Sequence, residues 1–155
     1  MHLERERKFL VRGDAWRAEA TRKTAYTQGY LAAGSACAIR VRLAGDAAWL
    51  TIKGPSVNGA APEFEYSIPA GDAALLLDSL AIKPLIEKTR HFVPYAGLTW
   101  EVDEFFGANA GLVLAEIELS SPDQPVPLPP WAGEEVTGDA RYHNACLAAN
   151  PFTRW

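Results

Sequence analysis

The stretch Glu4-Arg5-Glu6-Arg7-Lys8, followed by Phe9-Leu10-Val11, decides how the rest of the chain is read. In a β-strand, alternate side chains point to opposite faces. Glu4, Glu6 and Lys8 then share one face, and Arg5, Arg7 and Phe9 take the other. Two carboxylates about 7 Å apart on one face repel by about 2 kcal/mol at an effective dielectric of about 20. Such a pair needs open solvent or a counter-charge. The first option makes the stretch an edge strand with a charged, solvated face; the second admits a metal ion.

The same arrangement recurs along the chain. Gly13-Asp14 opens a short helical stretch to about Ala20, with Asp14 as N-cap. Strand-like alternation follows over residues 24–31, 36–43 and 48–53, and Gly54 to Pro62 is a Gly/Pro/Ser/Asn-rich break. The order then restarts. Residues 63–68 read as a strand, Gly71-Asp72 opens a helix with Leu75, Leu76, Leu77 and Leu80 as its apolar stripe, and residues 85–93, 98–105 and 112–119 read as strands. Each half is strand, helix, three strands, and each opens on Glu-x-Glu. Short turns favour antiparallel pairing. The fold expected is α+β and mostly antiparallel: an eight-stranded closed barrel with its helices outside, since closure removes exposed edges. Residues 1–155 read as a single domain, with residues 122–155 as a C-terminal arm and short helix packing on the barrel.

A chain of 155 residues can bury one real core. A net charge of -4 and a pI near 5.4 argue against a nucleic-acid-binding module. The N-terminus is charged where a secretion signal needs an apolar run, and no stretch is apolar enough to span a bilayer. Cys37 and Cys146 form no CxxC pair. A reduced, cytoplasmic protein is the expectation.

The charged alternate positions are Glu4, Glu6 and Lys8; Arg40 and Arg42; Lys53; Glu63 and Glu65; Lys88 and Arg90; Glu101 and Asp103; Glu116 and Glu118. An oily barrel with a charged exterior would account for them. Two features favour the inverse, a charged tunnel. Signs are sorted by strand, whereas surfaces selected for solubility mix them. The helices and the Trp-bearing arm also need an apolar outer face to sit on. Arg and Lys grip phosphate oxygens, and clustered carboxylates hold Mg²⁺ or Mn²⁺. Five basic groups, Arg40, Arg42, Lys53, Lys88 and Arg90, together with Lys8, suit a small polyanion with several phosphates.

The ordered set of motifs resembles the CYTH family, the triphosphate tunnel metalloenzymes. Glu4-Arg5-Glu6-Arg7-Lys8 matches its Glu-x-Glu-x-Lys signature. Gln28-Gly29-Tyr30-Leu31, Arg40-Val41-Arg42, Thr51-Ile52-Lys53-Gly54, Glu63-Phe64-Glu65, Lys88-Thr89-Arg90, Trp100-Glu101-Val102-Asp103 and Ala115-Glu116-Ile117-Glu118-Leu119 follow in the family's order. Trp131 to Thr137 and Arg141-Tyr142-His143-Asn144 resemble its short bacterial branch.

The resemblance implies a tunnel binding a triphosphate and a divalent cation, Mg²⁺ or Mn²⁺, and hydrolysis of tripolyphosphate. It implies Glu4, Glu6, Asp103, Glu116 and Glu118 as metal ligands, with Glu63 and Glu65 serving a second ion or orienting water. Arg40, Arg42, Lys53, Lys88 and Arg90 would hold phosphates, Lys8 would position substrate or water, and Tyr30 would supply a supporting hydroxyl. Thiamine triphosphatase, adenylate cyclase and a non-catalytic polyphosphate sensor are the alternatives, and pairing as a homodimer is left open. Arg5, Arg7, Glu87, His91 and Glu104 alternate outward, and Glu101 is balanced between surface and lumen. The tryptophans read as packing groups, Trp49 alone sharing the lumen face, and His2, His91 and His143 show no metal-ligand spacing.

Overall fold

The computed structural model describes residues 1–155. Ten strands form one antiparallel sheet. They are β1 (His2–Glu4), β2 (Glu6–Val11), β3 (Arg22–Ala33), β4 (Ala38–Ala44), β5 (Ala47–Lys53), β6 (Ala61–Ser67), β7 (Ile86–Tyr95), β8 (Leu98–Phe106), β9 (Val113–Glu118) and β10 (Ala132–Glu135). Three helices accompany them: α1 (Trp16–Glu19), α2 (Ala70–Ser79) and α3 (Asn144–Ala149). The sheet order is β1-β6-β5-β4-β3-β7-β8-β9-β2-β10. No helix is long and apolar enough to cross a membrane.

The two-fold run of strand, helix, three strands is present, but the eight-stranded closed barrel is not. The expected first strand breaks at Arg5. Residues His2–Glu4 pair with β6 and Glu6–Leu10 with β9, so β1 and β2 are joined through the covalent chain and not by hydrogen bonds. The other edge of β2 is taken over Phe9 to Val11 by β10, which the sequence reading lacked.

Alternation sorts the two faces as expected. Val41, Ala48, Ala73, Leu77 and Ala81 pack α2 against the outer face of β4 and β5. The close approach needs Gly29: a Cβ there would meet Leu85 Cδ2 at 2.8 Å and Ala81 Cβ at 2.9 Å. The expected leucine stripe is narrower than drawn. Leu77 is buried and Leu76 half-buried, but Leu75 and Leu80 are 67% and 66% exposed, because small Ala73 and Ala81 take the sheet-facing positions. Helix α1 starts from Ala15 without a side-chain cap, and Asp14 pairs with Arg17 instead. Its Trp16 joins Phe9, Trp100, Val102, Ala115, Ile117 and Trp131 in a second outer core.

The third core corrects the placement of the C-terminal helix. Tyr30, Ile86, Phe105 and Leu114 lie on the inner strand faces, in line with Gln28, Lys88, Asp103 and Glu116, and they pack with Tyr142, Leu147 and Ala148. The inner face therefore turns apolar toward one end. Helix α3 covers that end rather than resting on the outside, which removes the apolar side chains from water.

Candidate active site

The charged ends of the inner rows enclose a cavity of about 700 Å³. It is lined by Glu4, Glu6, Lys8, Tyr30, Arg40, Arg42, Lys53, Glu63, Glu65, Lys88, Arg90, Glu101, Glu116 and Glu118, together with Thr51, Thr137, His143 and Asn144. Strand order divides the wall by sign. β5, β4, β3 and β7 run consecutively and carry Lys53, Arg40, Arg42, Lys88 and Arg90; β8, β9, β2, β1 and β6 carry most of the acids.

The basic side is held in place by neighbours. Asp103 accepts from Lys88 Nζ at 2.7 Å and from Arg90 Nε and Nη2, each at 2.8 Å. Arg90 also reaches Glu101 at 2.5 Å and Glu116 at 3.4 Å. Arg42 Nε donates to Gln28 at 2.9 Å, and Arg40 Nη2 to Thr51 at 3.3 Å. Burial, then Arg40 and Arg90, push the Arg42 guanidinium down to about 10, which leaves it charged at neutral pH.

The acidic side is frustrated. Glu6 stands directly opposite Glu118, and Glu101 opposite Glu116, in the β2–β9 and β8–β9 registers. Like charges in those positions destabilise a sheet. Lys8 pairs with Glu116 at 3.3 Å, Lys53 with Glu4 at 2.5 Å and His2 with Glu118 at 2.8 Å. Glu6 takes part in no ion pair. The Glu116 carboxylate, burial and Glu4 together raise its carboxyl to about 8. Against burial, Lys8 and Arg90 bring Glu116 down to about 2. Burial and the hydrogen bond and charge of Glu4 raise Glu63 to about 7.

No three acids converge tightly enough to form a ready-made coordination shell. The donor set nonetheless fits a hard divalent cation. Mg²⁺ keeps several waters and binds through one or two carboxylates plus substrate phosphates, not through an all-protein cage. An unpaired carboxylate among other carboxylates, facing a basic wall across one cavity, is the protein's half of that arrangement.

Asp103 and Glu101 reverse their expected places. Asp103 is fully buried behind the cavity, with both oxygens committed to Lys88 and Arg90; burial opposes its charge, but these two cations hold its carboxyl well below the usual carboxylate range. Glu101 lines the cavity. Arg7 faces outward to Glu135, His91 packs on Trp16 and Glu104 takes Arg17. Trp49 is half-buried and stays off the cavity wall. The sequence reading passed over Gln28, Thr51, His143 and Asn144 as site residues. Gln28 and Asn144 sat inside quoted motifs but carry no charge to mark them.

A family model for the CYTH domain matches residues 2–144. The chain belongs to the CYTH domain family. Among CYTH relatives, an inorganic triphosphatase of Acetivibrio thermocellus is 46% identical over 152 residues, covering 98% of this chain and 97% of the relative. An inorganic triphosphatase of Nitrosomonas europaea is 35% identical over 150 residues, covering 94% and 96%. The crystal structure of an inorganic triphosphatase, 33% identical, matches this CYTH chain with a TM-score of 0.70 over 96% of its length and 95% of the other's.

Proposed function

We propose that this chain is a divalent-cation-dependent inorganic triphosphatase, which splits tripolyphosphate and water into pyrophosphate and orthophosphate inside the cavity. The observation that carries this reading is the division of one cavity wall into a pre-held basic side and an acidic side on which Glu6 has no ion-pair partner, in a chain 46% identical to an inorganic triphosphatase.

Arg40, Arg42, Lys53, Lys88 and Arg90 bind the phosphate oxygens and offset the charge that spreads over them in the transition state. Glu4, Glu6, Glu116 and Glu118 are the residues that would hold the cation, Mg²⁺ or Mn²⁺. When bound, it would supply Lewis-acid stabilisation of the charge on the phosphates. Glu63, held near neutral basicity, accepts the proton of the attacking water at its carboxylate. Glu65, held by Thr51 at 3.0 Å, helps orient that water. Lys8, pinned by Glu116 and by the Tyr142 carbonyl at 3.2 Å, positions the substrate, and the Tyr30 hydroxyl lies at the cavity's apolar end. Asp103 is an anchor for Lys88 and Arg90, not a metal ligand.

The test is phosphate release from tripolyphosphate, pyrophosphate, ATP and thiamine triphosphate, with Mg²⁺, with Mn²⁺ and with chelator. The expected result is cation-dependent orthophosphate release, fastest from tripolyphosphate. Formation of cyclic AMP and pyrophosphate from ATP, or ligand binding without any product, would overturn it.

A further inference from the structure

Gln28 is fully buried, lies on the inner face of β3 and does not reach the cavity surface. A buried amide costs free energy unless its polar atoms are paired. Its oxygen accepts from Arg42 Nε at 2.9 Å, and its nitrogen donates to Asn144 Oδ1 at 2.9 Å. The same Asn144 oxygen accepts from Lys88 Nζ at 3.1 Å. Arg42 can only donate, and so can Lys88 in the ammonium form; burial pulls that ammonium down to about 7, and Asp103 at 2.7 Å supports it. The direction of every bond between them is therefore forced: Arg42 into the Gln28 oxygen, the Gln28 nitrogen into the Asn144 oxygen, and Lys88 into that oxygen from the other side. Two like charges that would otherwise separate are tied through two neutral amides, one of which opens the C-terminal helix α3.

We propose that the Gln28–Asn144 pair is a positioning device that fixes Arg42 and Lys88 at one spacing for the substrate's phosphates, which makes the C-terminal helix a working part of the phosphate site. The tie engages Arg42 at Nε and leaves its two terminal nitrogens for substrate. With Asp103 it engages two of the three Lys88 protons, which aims the third. This inference rests on the reading of Arg42 and Lys88 as the phosphate grip, and not on hydrolysis itself.

Asn144 gives the decisive variants, because both of its contacts use an oxygen acceptor. Asn144→Asp keeps that acceptor and Asn144→Leu removes it. The readouts are tripolyphosphate affinity by calorimetry in chelator, kcat/KM for cation-dependent phosphate release, and Tm. Asn144→Leu is expected to lose about ten- to hundredfold in both affinity and kcat/KM. Asn144→Asp keeps the acceptor but adds a charge that repels the polyanion, so it is expected to keep the wild-type Tm and to lose less affinity than Asn144→Leu. Gln28→Leu is expected to resemble Asn144→Leu, with the double variant no worse than the worse single one, since both break the same tie. Wild-type affinity in Asn144→Leu, equal losses in Asn144→Asp and Asn144→Leu, or additive losses in the double variant would overturn the inference. A wild-type protein that binds tripolyphosphate without splitting it would sink the hydrolytic reading and leave the affinity comparison standing.

Discussion

The two sides of the cavity differ in what they lack. The basic side is finished by the chain itself: Lys88 and Arg90 share Asp103, Arg42 leans on Gln28, and Arg40 on Thr51. The acidic side is not. Glu6 faces Glu118, Glu101 faces Glu116, and Glu6 has no cation of its own. A basic side held in place by its neighbours thus stands opposite an acidic side on which Glu6 has no ion-pair partner, and this is the contrast that the proposed function rests on. On the proposed reading, the phosphate grip is built on folding and the acidic side waits for a cation.

That contrast can be broken at its strongest point first. Asp103→Ala leaves buried Lys88 without a counter-charge and takes from Arg90 one of its three carboxylate partners, a loss of about 3–5 kcal/mol that lowers Tm by about 10 °C. An unchanged Tm in a melting experiment would show that Asp103 does not hold the basic side together. Glu6→Gln acts in the opposite way. It should cut cation-dependent phosphate release by about a hundredfold or more, some 2.7 kcal/mol, while Tm in chelator stays level or rises because a like-charge contact is gone. A fall in Tm together with normal turnover would reverse the roles assigned to the two carboxylates.

The next effect is in pH. Glu6 and Glu63 have carboxyls raised above their unfolded values. The folded, cation-free protein then binds more protons than the unfolded chain between the ordinary glutamate range and about pH 8. Their contribution to stability is present below the ordinary glutamate pKa and is lost as pH rises through about 7 and 8. Melting curves in chelator should show that decline, Mn²⁺ should offset it, and Glu6→Gln should flatten it. The smallest effect belongs to the outer surface. Arg7 donates to Glu135 through two hydrogen bonds at 2.9 and 2.8 Å, yet both side chains are about a third exposed. Glu135→Gln should cost no more than about 1 kcal/mol, which sets a surface pair beside the buried Asp103 cluster.

Much of this was legible in the chain. Alternation in Arg40-Val41-Arg42 or Leu114-Ala115-Glu116 states which side chains share a face, and the sorted signs indicate that this face looks inward. Depth along the strand is not encoded in a period of two. Glu101, Asp103 and Phe105 share one face, but Glu101 meets the cavity, Phe105 the apolar end, and Asp103 the dry layer between them. That is why Asp103 read as a ligand and Glu101 as undecided. Strand β10 was missed because Ala-Gly-Glu-Glu has neither alternation nor β-branched residues. The break at Arg5 leaves no mark, since both sides of it keep the strand pattern. Asn144 could be placed on a helix, but nothing local says that the helix covers the lumen.

The most direct test of the central claim is calorimetric titration of the substrate-free protein with Mn²⁺ at pH 7 and pH 9, in buffers of different ionisation enthalpy. The account predicts binding accompanied by proton release at pH 7, tighter binding with little release at pH 9, and loss of both binding and release in Glu6→Gln. Binding that is indifferent to pH and survives Glu6→Gln, or no binding at either pH, would contradict it.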